Sequence, residues 1–207
     1  RLKMVKEQIE ARGVRDPRVL SAMRTVPRHE FVTADQQQRA YHDRPLPLGE
    51  DQTISQPYVV AFMTELLGIA AGDRVLEVGA GSGYQSAVLA EIASEVYGIE
   101  RLETLATPTT ARLQRLGYRN VSIRHGDGTK GWQEKAPFDG ILVACGAQSV
   151  PTALLEQLAP ERRLVIPVGK AGRVMKLQVW TRSKADTWSH RSVLDVRFVP
   201  LISASDA

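Results

Sequence analysis

The feature that most constrains the fold is a glycine-rich stretch that directly follows a short apolar run. In "VLEVGAGSGYQ", Gly79, Gly81 and Gly83 end a predicted strand and lead into a predicted helix. Glycines at such a junction let the backbone turn tightly and let a ligand approach closer than a Cβ atom would allow. The first strand-to-helix turn of a doubly wound sheet is where nucleotide-type ligands bind. The stretch therefore predicts an α/β fold that binds such a ligand at this turn.

The pattern of the surrounding chain agrees with this fold class. Short β-rich runs alternate with longer helical ones, which implies a mostly parallel sheet with helices on both faces. The predicted strands are 74–79, 94–100, 121–125, 140–145 and 163–169, and the predicted helices are 84–93, 102–116 and 151–158. After Gly169, two antiparallel strands are expected, one where Met175, Leu177 and Val179 alternate with polar residues and one over 192–199.

The N-terminal third of the chain has a different pattern. Apolar residues from Leu2 to Ala40 follow helical spacing, and Asp16 with Pro17 is typical of a helix start. The sequence predicts a single domain made of a helical lobe and an irregular loop (1–55), an α/β core (56–168) and C-terminal antiparallel strands (169–201). The last residues, "SASDA", are expected to form a loose tail.

Composition excludes several classes of function. Of 207 residues, 43% are hydrophobic, and no apolar run approaches the roughly 20 residues that cross a bilayer, so no membrane association is expected. The net charge of +4 is spread over interleaved acids and bases, which favours a mixed-charge surface over a nucleic-acid-binding one. The single Cys145 fits a reducing, cytoplasmic location. No His, Cys or carboxylate cluster indicates a metal site.

Two acidic residues follow the next two predicted strands. Glu100 lies about 20 residues beyond the glycines, where a carboxylate can accept hydrogen bonds from ribose hydroxyls, although it could also be an acid that favours a helix start. Asp127 stands between two glycines and could belong to an ordinary turn. The G-x-G-x-G spacing, preceded by Glu77, favours S-adenosylmethionine over a dinucleotide, which usually needs G-x-G-x-x-G.

The segment "QTISQP" has two interpretations. Thr53 and Ser55 precede Pro57, and hydroxyl side chains before a proline are typical of a helix start. The same hydroxyls could instead face a ligand. Nothing local to the segment decides between these interpretations.

Five motifs together resemble one bacterial family, the protein-L-isoaspartate O-methyltransferases. They are "MVKEQIEARGVRDPRVLSAMRTVPRHEFV", "DRPLPLGEDQTISQPYVVA", "VLEVGAGSGYQSAVLAEI", "LGYRNVSIRHGDG" and "RLVIPVG", followed by the late "VRFVPL". The resemblance implies a Rossmann-like methyltransferase whose last two strands are arranged differently from the commoner version. It also implies a cytoplasmic repair enzyme, expected to be a monomer, that methylates the free carboxyl of L-isoaspartyl residues in damaged peptides.

The resemblance also implies roles for individual residues. Ser55 matches the active-site position, and the S-adenosylmethionine contacts are expected at Thr53, Ile54, Gly79, Gly81, Ser82, Gly83, Gln85, Glu100, Asp127 and Gly128. Contacts to the peptide are expected from Thr53, Ser55, Val196, Arg197, Phe198 and Val199. No metal is expected. The chain departs from the family pattern at Asp51, Glu161 and Arg162, where glycines are common.

The implied chemistry needs little from the protein. A substrate carboxylate with a pKa of about 4 is ionised at neutral pH, so no general base is required and Ser55 is expected to orient the carboxylate. Three alternatives share parts of the pattern: a methyltransferase that acts on another substrate, a nicotinamide-dependent dehydrogenase, and a binding module without catalytic activity.

Overall fold

The structure is a computed structural model that describes residues 1–203; most of the expected C-terminal tail lies outside the described residues. The N-terminal segment is a series of short helical pieces. Asp16 accepts a hydrogen bond from the backbone amide of Arg18 at 2.8 Å, and Pro17 occupies the first turn, as the sequence predicts. The pieces are α1 (Leu2–Met4), which continues as a π turn (Val5–Ile9) and a 3₁₀ turn (Glu10–Arg12), α2 (Pro17–Thr25), and 3₁₀ turns at Arg28–Phe31 and Ala34–Arg39.

The loop expected over 41–55 is not entirely irregular, so that prediction is wrong in part. It contains a hairpin of β1 (Leu46–Gly49) and β2 (Gln52–Ile54). Glu50 and Asp51 form its two-residue turn with φ values of 52° and 54°. Two positive φ values characterise the type I′ turn, whose twist matches that of the paired strands. The strands are too short and too rich in Pro and Gly to show an alternating pattern.

The main domain alternates strands and helices. The elements are α3 (Pro57–Leu67), β3 (Arg74–Val78), α4 (Tyr84–Ala90), β4 (Glu95–Glu100), α5 (Glu103–Arg115), β5 (Val121–His125), β6 (Phe138–Val143), α6 (Thr152–Glu156), β7 (Leu158–Val168), β8 (Met175–Arg182) and β9 (Trp188–Val196). The seven strands of the main sheet lie in the order β5-β4-β3-β6-β7-β8-β9. The first five in this order are parallel, and β8 and β9 follow at one edge as antiparallel strands, so the predicted fold class is confirmed.

Alternate residues of the strands bury against opposite faces of the sheet. Val75 belongs to a buried cluster that also contains Ile9 of the N-terminal segment and Val60 of α3. Leu76 belongs to a second cluster that contains Leu154 of α6. The N-terminal helices therefore contribute to the core of the main sheet. Among residues 1–203, no helix is long and apolar enough to cross a membrane.

Several predicted boundaries differ from the observed ones, and the largest differences are in β7 and β9. The strand expected over 163–169 already begins at Leu158, with a bulge near Glu161, whose φ is 62°. The last strand ends at Val196 because β8 begins at Met175, which is the register partner of Val196. Residues 197–199 therefore have no neighbouring strand, and the chain turns to a bridge between Gly146 and Pro200.

Candidate active site

The glycine loop is fastened to the neighbouring strand by its backbone. The amides of Gly79 and Ala80 donate to the carbonyl of Ile99 at 2.8 and 3.1 Å. Gly79 and Gly81 have φ values of 86° and 52°, which favour glycine. Because β3 and β4 are parallel, the loop and Glu100 lie at the same edge of the sheet, as the sequence predicts.

Glu100 has the helix-start role that the sequence left open, and its role towards a ribose stays a prediction. Its carboxylate is 6% exposed and accepts from the amide of Gly81 at 2.7 Å and from that of Leu102 at 3.0 Å. Leu102 is the residue before α5, so Glu100 supports this helix start and holds the glycine loop at the same time. Glu100 also lines a cleft between the glycine loop and the start of α5.

The first cleft lies beside Glu100 and has about 620 Å³ of empty space, part of which is open to solvent. Of the residues predicted to contact the cofactor, Thr53, Gly79, Gly81 and Gly128 also line this cleft. Sequence reasoning missed its apolar surface, because these side chains come from separate parts of the chain. They are Val78, Ile99, Leu102, Cys145, Leu201 and Ile202. An apolar slot beside a carboxylate suits a nucleoside, whose base is flat and whose ribose donates hydrogen bonds.

The second cleft adjoins the glycine loop and has about 420 Å³ of empty space, part of which is open to solvent. Predicted contacts Ile54, Ser82 and Gln85 line it, and Gln85 donates to the hydroxyl of Thr64 at 2.9 Å. Glu77 also lines it and is fully buried. The sequence showed Glu77 next to the glycines but gave no indication that it reaches this cleft.

The carboxyl group of Glu77 is only half paired. Ser86 donates to its Oε2, while Oε1 has no hydrogen-bond partner among the described residues. Burial raises the pKa of Glu77 to about 8. A cation within hydrogen-bond distance of Oε1 would satisfy this atom and stabilise the ionised form.

An outer groove lies on the far side of Ser55. Six predicted substrate contacts line it: Thr53, Ser55, Val196, Arg197, Phe198 and Val199. Further wall residues that the sequence did not reveal include Arg12, Gln56, Tyr58, Val174 and Asp195.

Charges along the outer groove are unequally paired. Asp195 pairs with Lys176 at 2.6 Å. Arg12 pairs with Asp43 at 3.1 Å and stacks on the ring of Tyr58. Within residues 1–203, Arg197 takes part in no ion pair. The groove therefore presents an uncompensated cation to an acidic ligand.

The two clefts and the outer groove meet at a small set of residues. Thr53 and Ala144 line all three spaces, and Ser55 lines the second cleft and the outer groove. Across the described part of the chain, no hydrogen bond to the hydroxyl of Ser55 is found. This hydroxyl is thus available to a ligand at the junction, and β2 brings it there immediately before α3 begins.

Two predicted cofactor residues lie beside the clefts and do not line them. A Cβ at Gly83 would stand 2.8 Å from Thr109 Cγ2, so this glycine allows α5 to pack closely. Asp127 accepts from the amide of Thr129 at 2.9 Å and from its hydroxyl at 2.7 Å, which orders the turn that carries Gly128. Both residues therefore support the walls.

Metal ligands and a reactive thiol are not among the features of this site. Over residues 1–203, no group of three or more His, Cys, Asp or Glu side chains could hold a metal ion. Cys145 is buried beneath the first cleft, and burial raises the pKa of its thiol.

Comparison with known sequences gives consistent matches. A family model described as protein-L-isoaspartate(D-aspartate) O-methyltransferase matches residues 1–206. The chain is 51% identical over 201 residues to protein-L-isoaspartate O-methyltransferase 2 of Pelobacter propionicus, covering 97% of this chain and 89% of the relative. It is 52% identical over 202 residues to protein-L-isoaspartate O-methyltransferase of Methanoregula boonei, covering 98% and 92%.

Solved structures agree with these sequences. A protein-L-isoaspartate O-methyltransferase aligns with a TM-score of 0.87 at 28% identity over 97% of this chain, which spans 65% of the length of that protein. A putative family member from Plasmodium falciparum, in complex with S-adenosyl-L-homocysteine, aligns with a TM-score of 0.83 at 26% identity over 97% of both chains. The chain therefore belongs to the protein-L-isoaspartate(D-aspartate) O-methyltransferase family.

Proposed function

We propose that this protein transfers the methyl group of S-adenosylmethionine to the free carboxyl of L-isoaspartyl residues in damaged proteins and peptides. The observation that carries the proposal is the junction at Thr53, Ser55 and Ala144, where two clefts beside the glycine loop open onto the outer groove. The methyl ester then closes to a succinimide without catalysis, so this transfer initiates repair.

The two clefts fit the two halves of S-adenosylmethionine. The apolar first cleft accepts the adenine, and Glu100 accepts hydrogen bonds from the ribose hydroxyls. The second cleft accepts the methionine portion, whose ammonium group would face the unpaired Oε1 of Glu77. A half-paired, buried carboxyl is the kind of group that a cationic ligand completes. When bound, the cofactor supplies an electrophilic methyl group on a sulfonium.

The acceptor carboxylate is held by groups of the outer groove. Ser55 donates a hydrogen bond to it, and the uncompensated charge of Arg197 attracts the acidic peptide. No base is needed because the carboxylate is already ionised. Holding two reactants in attack geometry can lower a barrier by roughly 7–11 kcal/mol in favourable cases. The buried walls at Ile54 and Ala80 limit water at the junction, where opposite charges neutralise.

The setting of the reaction belongs to the same proposal. We place the protein in the cytoplasm as a monomer that needs neither a nucleic acid nor a membrane. Support comes from the single, buried Cys145, which suits a reducing compartment. The interleaved acidic and basic residues offer no continuous track for phosphates.

A paired-peptide assay tests the reaction and the substrate class together. The protein is offered methyl-labelled S-adenosylmethionine with two peptides that differ only in an L-isoaspartyl or an aspartyl residue. We expect base-labile label on the isoaspartyl peptide alone. Label on neither peptide, with cofactor turnover on other carboxylic acids, would favour a different methyl acceptor. Cofactor binding without any transfer would indicate a binding module.

A further inference from the structure

Arg28 is the largest charged side chain in the interior, and its surroundings do not explain it as a simple ion pair. It is fully buried in the 3₁₀ turn Arg28–Phe31. No carboxylate pairs with it within residues 1–203, and its Nη1 has no hydrogen-bond partner there. A buried charge that is incompletely satisfied destabilises a fold, and apolar residues of similar volume often fill such a position at least as well. This arrangement therefore suggests a specific task for the guanidinium.

The contacts that Arg28 does make lead to the active site. Its Nε donates to the carbonyl of Ala40 at 2.7 Å, and its Nη2 donates to the carbonyl of Ser55 at 2.8 Å. The guanidinium carbon lies 4.7 Å from the centre of the Tyr84 ring. Ser55 and Tyr84 both line the second cleft, whereas Arg28 lies behind them.

The carbonyl of Ser55 depends on this donor. β2 ends at Ile54, and the first hydrogen bond of α3 runs from Val60 to the carbonyl of Gln56. Ser55 thus lies between the strand and the helix, where neither hydrogen-bond pattern fixes its peptide. The planar fork of an arginine can hold two carbonyls in a set geometry, which a lysine cannot reproduce.

We propose that Arg28 is a positioning residue that fixes the Ser55 peptide, so that the Ser55 hydroxyl points at the acceptor carboxylate. The inference rests on the proposed function, because it concerns the same reaction. The buried guanidinium acts through Ser55 and does not touch substrate or cofactor. The N-terminal segment thereby acts on the reaction through Arg28, besides lining the outer groove with Arg12.

The test compares Arg28→Lys and Arg28→Met with Ile9→Ala. Ile9 is a fully buried residue of the N-terminal segment that contacts neither cleft, so its variant controls for loss of stability. For each protein, kcat and KM are measured with the isoaspartyl peptide well below the unfolding temperature, and the Kd of S-adenosylhomocysteine is measured by calorimetry. We expect Arg28→Lys to lower kcat roughly 10–100-fold, with cofactor affinity within about threefold of wild type, and Arg28→Met to lower kcat further.

A double-mutant cycle separates positioning from general support of the fold. In a Ser55→Ala background, Arg28→Lys should change kcat less than about threefold, because the group that it positions is already gone. A full additional loss in that background would overturn the inference. So would a kcat of Arg28→Lys that equals that of Ile9→Ala, or a parallel loss of cofactor affinity. If Arg28→Met does not fold, Arg28→Lys decides the question.

Measurements on the wild-type protein distinguish failure of this inference from failure of the proposed function. Wild-type transfer to the isoaspartyl peptide with unchanged kcat in Arg28→Lys leaves the proposed function standing and removes the role of Arg28. If Ser55→Ala alone transfers at the wild-type rate, Arg28 has no catalytic hydroxyl to position and the inference fails. No wild-type transfer to the isoaspartyl peptide would overturn the proposed function and this inference with it.

Discussion

The glycine loop (79–83) and the Ser55 segment (52–56) line the same clefts but are held in different ways. The loop is anchored by backbone amides to the adjacent strand and by one carboxylate from that strand. The Ser55 segment joins a short hairpin to a helix, and a buried arginine from the N-terminal segment holds it. The first wall is anchored mainly within one strand-helix-strand unit, with further hydrogen bonds from Thr109 and Arg112 of the next helix to the carbonyls of Gly81 and Ser82. The second needs more distant parts of the chain to fold together.

This difference predicts a division of function between the two walls, with cofactor affinity set by the glycine loop and turnover set by the Ser55 segment. A ligand whose main polar partner is Glu100 should tolerate changes elsewhere, so cofactor affinity should follow this carboxylate and the glycine loop that it holds. Turnover should follow the Ser55 segment, because attack geometry depends on a few tenths of an ångström and on a well-aligned donor. Substitutions in one wall should therefore leave the property of the other nearly unchanged.

The largest separation is expected for Ser55→Ala. Removal of the hydroxyl that we propose orients the acceptor should lower kcat about 100–1000-fold, the range for loss of one well-placed donor. The Kd of S-adenosylhomocysteine, measured by calorimetry, should stay within about twofold of wild type. Ser122→Ala, an exposed serine on β5, serves as the control. Wild-type turnover in Ser55→Ala would contradict the division.

Glu100→Ala should give the opposite result. It removes the acceptor for the amides of Gly81 and Leu102 together with the proposed ribose contact. Hydrogen bonds to a charged group contribute about 1.5–3 kcal/mol, so the Kd of S-adenosylhomocysteine should rise about 10–100-fold. The KM for the isoaspartyl peptide should change little at saturating cofactor. Glu103→Gln, which changes an exposed acid nearby, is the matched control. Equal losses of peptide and cofactor binding in Glu100→Ala would show that the two walls do not act separately.

The pH dependence of the free energy of unfolding should come largely from Glu77, which lines the second cleft beside the glycine loop. The pKa of Glu77 is about 8 in the folded protein against an ordinary value of 4.5, so between these values only the folded state keeps the proton. Its contribution to stability is fully present below pH 4.5 and is lost as the pH rises towards 8, by at most about 1.4 kcal/mol per pH unit.

Urea unfolding of the cofactor-free protein at several pH values checks this expectation. The free energy of unfolding of Glu77→Gln should depend less on pH across this window than that of wild type. Glu156→Gln, which changes an exposed acid, should keep the wild-type slope. Identical slopes for wild type and Glu77→Gln would show that Glu77 is ionised in the free protein.

The smallest effect is expected at the hairpin turn. Asp51 adopts a φ of 54°, which glycine accepts more readily than a residue with a Cβ. Asp51→Gly should raise the free energy of unfolding by up to about 1 kcal/mol, because relief of strain exceeds the added chain entropy. Asp51→Ala loses the same charge but keeps the Cβ, so it should not gain stability. A lower unfolding temperature for Asp51→Gly than for Asp51→Ala would contradict this account.

Much of the wall formed by the glycine loop and Glu100 was predictable, because the sequence patterns that specify it are local. The glycine spacing, the alternation of strand and helix, and the acid after the next strand all lie within residues 74–100. They placed Gly79, Gly81 and Glu100 correctly at one edge of the sheet. The same local patterns could not show that Gly83 packs against α5, because Thr109 belongs to the next helix.

The sequence by itself determined the fold class, the alternation of strands and helices along the chain and, through its motifs, the family. Only the tertiary structure decided that the loop before α3 contains a hairpin and that the last strand stops at Val196. The family resemblance, but no local pattern, had implied that residues 196–199 share a groove with Ser55. The structure also revealed the buried Arg28 behind that serine. The physical reason is range: glycine backbone preferences and hydrophobic periodicity act over a few residues. The Ser55 wall depends on contacts between segments that only the folded core brings together.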